Sequence, residues 1–260
     1  MHEQKEEGKK SEMMMMLWEK LGDSEKKVIM MRKLDSKILK KEHMIKQLQY
    51  KVETLKTIKL LIPGLEIDAN FFAAVYQGEA PWDIGRPQKE IVQLERAGEI
   101  VGSVLDAGCG TGENALYLAA QKHEVWGIDF TPIAIKKAEE KAAQRNLHVM
   151  FLVLNALELH TLGRTFDTVI DSGLFHTLSD EDRPVFVNNL AAVIHRGGTY
   201  FMLCFSELEP GSYGPRRITQ AEIRDSFRDG WHINYIRPAT LEGRVRPEGA
   251  RGWLSSISKE

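Results

Sequence analysis

The sequence predicts an α/β fold, in which a doubly wound, mostly parallel sheet follows an N-terminal helical extension. Three observations predict it. From about residue 66, short apolar runs alternate with helical patterns to the end of the chain. A turn with glycine at every second position, 108–112, follows the first apolar run. Upstream, residues 1–62 carry a seven-residue apolar repeat instead. Strands that alternate with helices form parallel sheets covered on both faces.

The predicted extension, residues 1–62, is mainly one long helix. Asp23 or Ser24 can cap its start, and Pro63 and Gly64 end it at Ile62. Its apolar residues form two rows at seven-residue spacing, Met31, Ile38, Ile45 and Val52 in one and Leu34, Leu48 and Leu55 in the other. Such a coiled-coil stripe needs a partner to cover it. We expect self-association through residues 24–60, with folding back onto the same chain as the alternative.

The second predicted domain, residues 66–260, contains the alternating elements. The predicted strands are Ser103–Ala107, Glu124–Ile128, His148–Leu154, a strand closed by Thr168–Asp171, Thr199–Phe205, Trp231–Arg237 and Ala250–Ile257. The predicted helices are Glu113–Gln121, Pro132–Arg145, Asp180–His195, which Gly197 and Gly198 would end, and Thr219–Phe227.

Composition limits the classes of function. Hydrophobic residues make up 43% and charged residues 28% of the 260, as in ordinary globular proteins. We expect a cytoplasmic protein without a membrane segment or disulfides, because no apolar run is long enough to span a bilayer and only two cysteines occur. Residues 1–60 carry 15 Lys and Arg against 10 Asp and Glu. Charges of both signs along one helix favour a solvated surface over nucleic-acid binding.

The motif that predicts a ligand is the run from Asp106 to Gly112, which ends the first strand. Glycine at 108, 110 and 112 lets backbone approach a ligand at the carboxyl end of the sheet. Dinucleotide-binding turns follow the pattern G-x-G-x-x-G, but here Glu113 stands at the third glycine position. An acid there is unfavourable for a phosphate and suits an ammonium group. The motif therefore indicates the methionine part of S-adenosylmethionine rather than NAD.

Polar residues at the next strand ends complete the predicted site. Asp129 ends the second strand and can accept hydrogen bonds from both ribose hydroxyls, besides capping the helix at Pro132. Phe130 can pack on the adenine, and Asn155 with the backbone of Ala156 can recognise its edge. Asp171 ends the fourth strand beside the glycine turn. Four such strand ends on one rim of the sheet predict a nucleoside site.

These residues resemble the class I S-adenosylmethionine-dependent methyltransferase family over residues 66–260. The resemblance implies a Rossmann-like, seven-stranded sheet whose last strand is antiparallel, with S-adenosylmethionine as methyl donor. By position, Asp106, Gly108 and Gly110 would line the methionine moiety. Many relatives have Asp where this chain has Asn155, whose amide oxygen can still accept from the adenine amine.

A narrower resemblance comes from residues 81–88, Pro-Trp-Asp-Ile-Gly-Arg-Pro-Gln. This segment is similar to one in the thiopurine and thiol/halide methyltransferase branch, where it closes over the cofactor with its tryptophan near the methyl donor. Trp82 matches that tryptophan, and an aromatic face suits a sulfonium cation. The alternative is that Trp82 only packs in the core.

His176 is the predicted catalytic residue, either as a general base or as a group that orients the acceptor; packing alone is the alternative. Methyl transfer needs mostly alignment and exclusion of water, and a base only when the nucleophile arrives protonated. Tyr213, Arg216 and Arg217 follow the fifth strand and could shape an acceptor pocket. No cysteine and histidine cluster has zinc spacing, so we expect no metal.

The leading hypothesis is methylation of a small-molecule thiol, phenol or heterocyclic nitrogen. The alternatives are a protein or RNA methyltransferase recruited through the coiled coil, a non-catalytic scaffold and an NAD enzyme. After Asp171 the chain reads Ser-Gly-Leu rather than the Pro-Pro-Tyr/Phe motif of enzymes that methylate nucleic-acid amino groups, which argues against RNA.

Overall fold

The computed structural model describes residue 22 and residues 69–211, 214–246 and 248–260. The predicted coiled-coil helix, its self-association and the boundary between residues 62 and 66 lie outside the described residues and stay predictions. Within the described part, no helix is long and apolar enough to cross a membrane.

The described residues form a seven-stranded sheet. Its strands are β1 (Ser103–Ala107), β2 (Glu124–Asp129), β3 (Met150–Val153), β4 (Phe166–Ser172), β5 (Ile194–Phe205), β6 (Trp231–Leu241) and β7 (Ala250–Lys259). They lie in the order β3-β2-β1-β4-β5-β7-β6. Strands β1 to β5 pair in parallel, and β7 runs antiparallel to both β5 and β6. The predicted fold class and the antiparallel last strand are confirmed.

Helices cover both faces of the sheet. They are α1 (Ala69–Gln77), α2 (Lys89–Arg96), α3 (Glu113–Ala120), α4 (Pro132–Gln144), α5 (Asp182–Val193) and α6 (Gln220–Ser226), with two short 3₁₀ helices, η1 (Ala156–Leu162) and η2 (Phe175–Thr177). The sequence predicted α3 to α6. It did not predict the 3₁₀ helices, nor α1 and α2, although these two are at least as long as α3 and α6.

The predicted end of α5 was wrong. The helix stops at Val193, and β5 begins at once with Ile194. The two glycines lie inside β5, where residues 195–198 bulge out between the pairs Ile194–Phe166 and Thr199–Thr168. Gly197 has a φ of +81°. These glycines therefore permit a bulge rather than end a helix.

Side chains of the central strands alternate between two apolar layers. On one face, Leu105 and Tyr200 pack with Phe186 of α5 and Phe227 beside α6. On the other face, Val104 and Phe201 pack with α2, α3 and α4. Because β1 to β4 run parallel, their carboxyl ends lie on one rim of the sheet.

Candidate active site

The glycine turn after β1 has little room for side chains. Gly108, Gly110 and Gly112 all have positive φ angles, of +72°, +54° and +84°. A Cβ on Gly112 would lie 2.8 Å from Phe151 and 2.9 Å from Ala138. A Cβ on Gly110 would lie 2.7 Å from the hydroxyl of Tyr76. The turn therefore presents bare backbone at the rim, as the sequence predicted.

Asp106 lies beneath this turn and is almost fully buried. Its carboxyl accepts a hydrogen bond from the backbone N–H of Ala115, at 3.1 Å. Burial, together with the charges of Asp171 and Asp129, raises the pKa of Asp106 to about 8. No positive group from the chain neutralises this carboxyl among the causes of that shift, so a cationic ligand would be favourable here.

Asp129 joins the end of β2 to the glycine turn. One oxygen accepts from the N–H of Gly110 at 3.0 Å and the other from that of Thr131 at 2.8 Å. Burial raises the pKa of Asp129. The helix cap itself is Thr131, so the carboxylate braces the turn rather than capping α4 directly. Each of its oxygens retains a second lone pair that can accept from a ligand hydroxyl.

Glu113 does not have the role that the sequence argument gave it. Its carboxylate is held by Lys141 at 2.8 Å and by both terminal nitrogens of Arg145, and these cations lower its pKa despite partial burial. Because α4 neutralises this charge, Glu113 offers nothing to an ammonium ligand. The acid that would favour an ammonium ligand is instead the buried Asp106, whose pKa is raised.

Asn155 and Ala156 lie at the end of β3, at the predicted adenine edge. The Asn155 side-chain oxygen accepts from the N–H of Leu157 at 3.0 Å and so caps η1, whose first residue is Ala156. The backbone N–H of Leu154 donates to the carbonyl of Asp129 at 3.0 Å. The ends of β2 and β3 are therefore held side by side.

The segment that contains Trp82 closes over the rim. Its indole N–H donates to the hydroxyl of Tyr76 at 2.9 Å, and the two rings meet edge to face. Phe72 contacts both Trp82, with ring centroids 5.6 Å apart, and Phe130, at 5.3 Å. We call Phe72, Tyr76, Trp82 and Phe130 the aromatic cover. Phe72 and Tyr76 were not among the site residues predicted from the sequence, although their four-residue spacing places them on one helix face.

Hydrogen bonds fasten this segment at two places. Beside the glycine turn, the Thr111 hydroxyl donates to Asp83 at 2.8 Å. At the far end of β6, the Gln88 side chain exchanges two hydrogen bonds, both of 2.9 Å, with the backbone of Glu242. The Glu242 carboxylate in turn pairs with Arg86 at 2.9 Å. The cover is thus part of the folded domain.

Asp171 is fully buried and holds the turn after β4. Its carboxylate accepts from the N–H groups of Leu174 and Phe175, at 2.7 and 2.9 Å, and from the Tyr200 hydroxyl, at 2.8 Å. Burial raises the pKa of Asp171 to about 6. Since donors of the chain fill both lone pairs of one oxygen and one of the other, and the residue is fully buried, this geometry argues against the predicted contact of Asp171 with the cofactor.

The turn held by Asp171 places Leu174 beside the glycine turn and His176 beside Gly173. A Cβ on Gly108 would lie 3.1 Å from Leu174, and one on Gly173 would lie 3.5 Å from the His176 Nε2. The His176 Nδ1 accepts from the N–H of Phe205 at 3.0 Å. Burial, with the positive charges of Arg217 and Arg183, lowers the pKa of His176 to about 3.

Of the acceptor-side residues, Tyr213 lies outside the described part of the chain. Arg216 pairs with Asp180 and Glu222 on the surface. Arg217 donates to loop carbonyls, including that of Pro215 at 2.7 Å, and its guanidinium lies over the Phe205 ring. Both arginines therefore organise the loop after β5. Cys204 is a fully buried residue of β5, as predicted.

Comparison with known proteins identifies the family. Residues 104–198 match the model of the family described as "Methyltransferase domain". The chain is 36% identical to the 2-heptyl-1-hydroxyquinolin-4(1H)-one methyltransferase of Mycobacteroides abscessus over 183 residues, which span 66% of this chain and 81% of that protein. The chain belongs to the class I S-adenosylmethionine-dependent methyltransferases.

Further relatives agree with this methyltransferase assignment. A solved structure titled for the conversion of a disulfide bond into a thioacetal group during echinomycin biosynthesis is 34% identical, with a TM-score of 0.68. The match covers 74% of this chain and 93% of that one. The Arabidopsis thaliana protein named "Probable thiol methyltransferase 2" is 24% identical over 56% of this methyltransferase and 65% of its own length.

The methyltransferase fold and its donor are therefore established. Solved chains of this fold include one with bound S-adenosylmethionine. When bound, that cofactor supplies a methyl carbon made electrophilic by its sulfonium sulfur. The residues of the rim fit it: backbone-only glycines allow close approach, no cation is seen beside Asp106 within the described part of the chain, and an aromatic cover suits adenine and sulfonium.

Proposed function

We propose that this methyltransferase transfers the methyl group to a small aromatic acceptor, a thiol, a phenol or a heterocyclic nitrogen or N-hydroxyl. The main support for the proposal is the segment 81–88, which is held by hydrogen bonds to the folded domain and covers the rim. A small molecule can enter beneath such a cover, whereas a macromolecule needs open access to the reactive carbon. The relative from M. abscessus, named for a hydroxyquinolone, supports the same class of acceptor.

In this proposal Asp106, Gly108 and Gly110 hold the methionine part of the cofactor, and Asp129 holds the ribose. Asn155 and Ala156 recognise the adenine edge, against Phe130. Trp82 lies over the sulfonium. Asp171 supports this arrangement by fixing the turn after β4, and His176 faces the acceptor.

Four other predictions rest on the sequence alone. They are methylation of protein or RNA, a scaffold role, self-association through residues 24–60 and a cytoplasmic location. None of them has a specific observation in its favour among the described residues.

The test uses the full chain with labelled S-adenosylmethionine. Thiophenols, phenols and N-hydroxyquinolones are offered in parallel with protein and RNA extracts, and products are identified by mass spectrometry. We expect label in small aromatic products and none in the extracts. Label confined to protein or RNA would contradict the proposal.

A matched pair of variants controls this assay, because Asp129 and Glu124 lie at opposite ends of β2. Asp129→Asn should lose most turnover, since a neutral amide cannot replace a carboxylate that accepts from two backbone N–H groups and a ribose. Glu124→Gln removes only an exposed ion pair with Arg164 and should keep wild-type turnover.

A further inference from the structure

His176 is held in one tautomer. Its Nδ1 accepts the hydrogen bond of the Phe205 N–H, so in the neutral ring the proton sits on Nε2. The ring also meets the Phe205 ring edge to face, with centroids 5.0 Å apart. Only 4% of the residue is exposed. Rotating the ring would break the bond and leave a buried backbone N–H unpaired, which is costly.

The protonated nitrogen lies close to the end of β4. A Cβ on Gly173, the residue after that strand, would lie 3.5 Å from Nε2. Leu174, the next residue, contacts the Gly108 position of the cofactor turn. No hydrogen bond of Nε2 is seen among the described residues. His176 therefore has an N–H donor beside Gly173, next to the residue that packs on the glycine turn.

The charged groups around the ring oppose its protonation. Arg183 from α5 and Arg217 from the loop after β5 are the cations that act on it. From β5, the Cys204 thiol is kept protonated because burial raises its pKa. In the neutral ring Nε2 already carries a proton and cannot accept another. Nδ1 cannot readily accept one either, because its lone pair accepts the hydrogen bond of the Phe205 N–H.

Three acids of β4 and of the loop after β5 already accept hydrogen bonds from the chain. Asp171 accepts from three donors, as described above. Glu207, on the loop after β5, accepts from the Trp253 indole at 2.7 Å. Glu209, which is buried, is bound by Arg246 and by the N–H of Arg251. Each of these carboxylates is therefore already engaged by a donor of the chain.

We propose that His176 acts as a fixed N–H donor to the acceptor atom, and that the acceptor is a nucleophile that ionises without the enzyme's help. This rests on the proposed small-molecule function and names its substrate class: aromatic N-hydroxyls, phenols and thiols with pKa values below roughly 8. The proton leaves to solvent before reaction. The anion's electron pair forms the bond to the methyl carbon, and the pair of the broken carbon–sulfur bond stays on sulfur.

The first test does not depend on turnover. Two-dimensional NMR of ¹⁵N-histidine-labelled full chain, with His176→Gln to assign the signal, reports which ring nitrogen carries the proton. We expect the Nε2–H form of His176, with no titration from pH 5 to pH 9. A titration midpoint between pH 6 and pH 8, or the Nδ1–H form, would overturn the proposal.

The second test separates this inference from the proposed function. The pH dependence of kcat/KM is measured for a series of phenols or N-hydroxyquinolones of graded acidity. We expect the rising limb of each pH profile of kcat/KM to shift with the pKa of that acceptor. If the rising limb stays at the same pH for all acceptors, an enzyme group acts as the base; this result would overturn the inference about His176 but not the proposed function. Failure to methylate any acceptor by a chain that binds cofactor would overturn the proposed function as well.

Variants complete the test. His176→Gln keeps an N–H donor but cannot serve as a base, so it should retain at least a tenth of kcat/KM with the same acceptor-dependent limb. His176→Phe removes the donor and should lose roughly 10²-fold. Equal losses in both variants would contradict the donor role. His195→Gln, at an exposed histidine, is the control and should match wild type.

Discussion

At the scale of single residues, Gly112 and Gly163 both have left-handed backbone but differ in their surroundings. Their φ angles are +84° and +63°. A Cβ at Gly112 would enter the space of Phe151 and Ala138, whereas nothing lies within 4 Å of one at Gly163. The glycine requirement of the cofactor turn is therefore steric as well as conformational.

This difference predicts unequal effects of alanine. Gly163→Ala should cost about 1 kcal/mol from backbone strain alone. Gly112→Ala adds overlap with two neighbours and should cost roughly 3 kcal/mol or more. Urea denaturation of both variants measures the difference. Equal destabilisation would contradict the packing of the turn.

We expect cofactor binding to release a proton, because the pKa of Asp106 is raised. Because its pKa is raised to about 8, most of this carboxyl is protonated at pH 7. A cationic ligand beside it favours the ionised form, so binding should release up to roughly one proton. Calorimetry in buffers of different ionisation enthalpy detects it. The release should vanish in Asp106→Asn, and a buffer-independent wild-type enthalpy would contradict the assignment.

Tyr76 is expected to contribute to cofactor affinity. Its hydroxyl is buried against Gly110, accepts from Trp82, and donates no hydrogen bond seen within the described ranges. We propose that it donates to the cofactor. Tyr76→Phe should weaken binding about tenfold, or about 1.4 kcal/mol. Tyr117→Phe, which removes a more exposed hydroxyl bonded to Glu95, is the control and should leave affinity unchanged.

Residues at strand ends could be predicted because parallel strands bring their carboxyl ends to one rim. Asp106 and Asp129 lie there as predicted. Glu113 was misassigned, since its partners Lys141 and Arg145 are about 30 positions away and no local pattern pairs them. The tautomer of His176 could not be predicted from the sequence either, because the backbone N–H of Phe205 on β5 determines it.

At the scale of elements, the cover depends on the contact between residues 81–88 and the end of β6. Gln88 is buried and bonds both backbone groups of Glu242. This contact joins segments more than 150 positions apart, so neither local pattern predicts it. The segment was nevertheless recognisable from its own sequence, because the resemblance included Trp82.

Gln88→Ala should loosen the segment 81–88, and with it the position of Trp82 in the aromatic cover. The variant leaves a partly buried N–H and carbonyl of Glu242 without their partner, which costs roughly 1 kcal/mol locally. We expect a several-fold higher KM for S-adenosylmethionine and faster amide exchange in residues 81–88 and 242–244. Gln93→Ala, at an exposed position of α2, should change neither. Unaltered exchange in Gln88→Ala would show that other contacts hold the segment.

At the scale of the whole molecule, buried titratable groups make stability depend on pH. The pKa values of Asp106 and Asp171 are raised from 3.8 to about 8 and about 6, so between these values the folded chain binds more protons than the unfolded one. Their contribution to stability is complete below pH 3.8 and is lost as pH rises. His176, lowered from 6.5 to about 3, opposes this below pH 6.5.

Above pH 6.5 His176 is neutral in both states, and the effect of Asp106 remains. We therefore expect the cofactor-free chain to lose stability from pH 6.5 to pH 8, on the order of 1 kcal/mol per pH unit. Denaturant titrations across this range measure the slope. Asp106→Asn should flatten it. A wild-type stability that rises over the same range would contradict the raised pKa of Asp106.

The central claim is that the glycine turn, Asp129 and the aromatic cover form one S-adenosylmethionine site. Isothermal titration calorimetry of the full chain tests it most directly, with NAD as the control ligand and Asp129→Asn as the control variant. The account predicts one S-adenosylmethionine per chain, no NAD binding, and affinity reduced roughly 10- to 100-fold in the variant. A folded wild-type chain that binds no S-adenosylmethionine, or a variant that binds it equally well, would contradict the account.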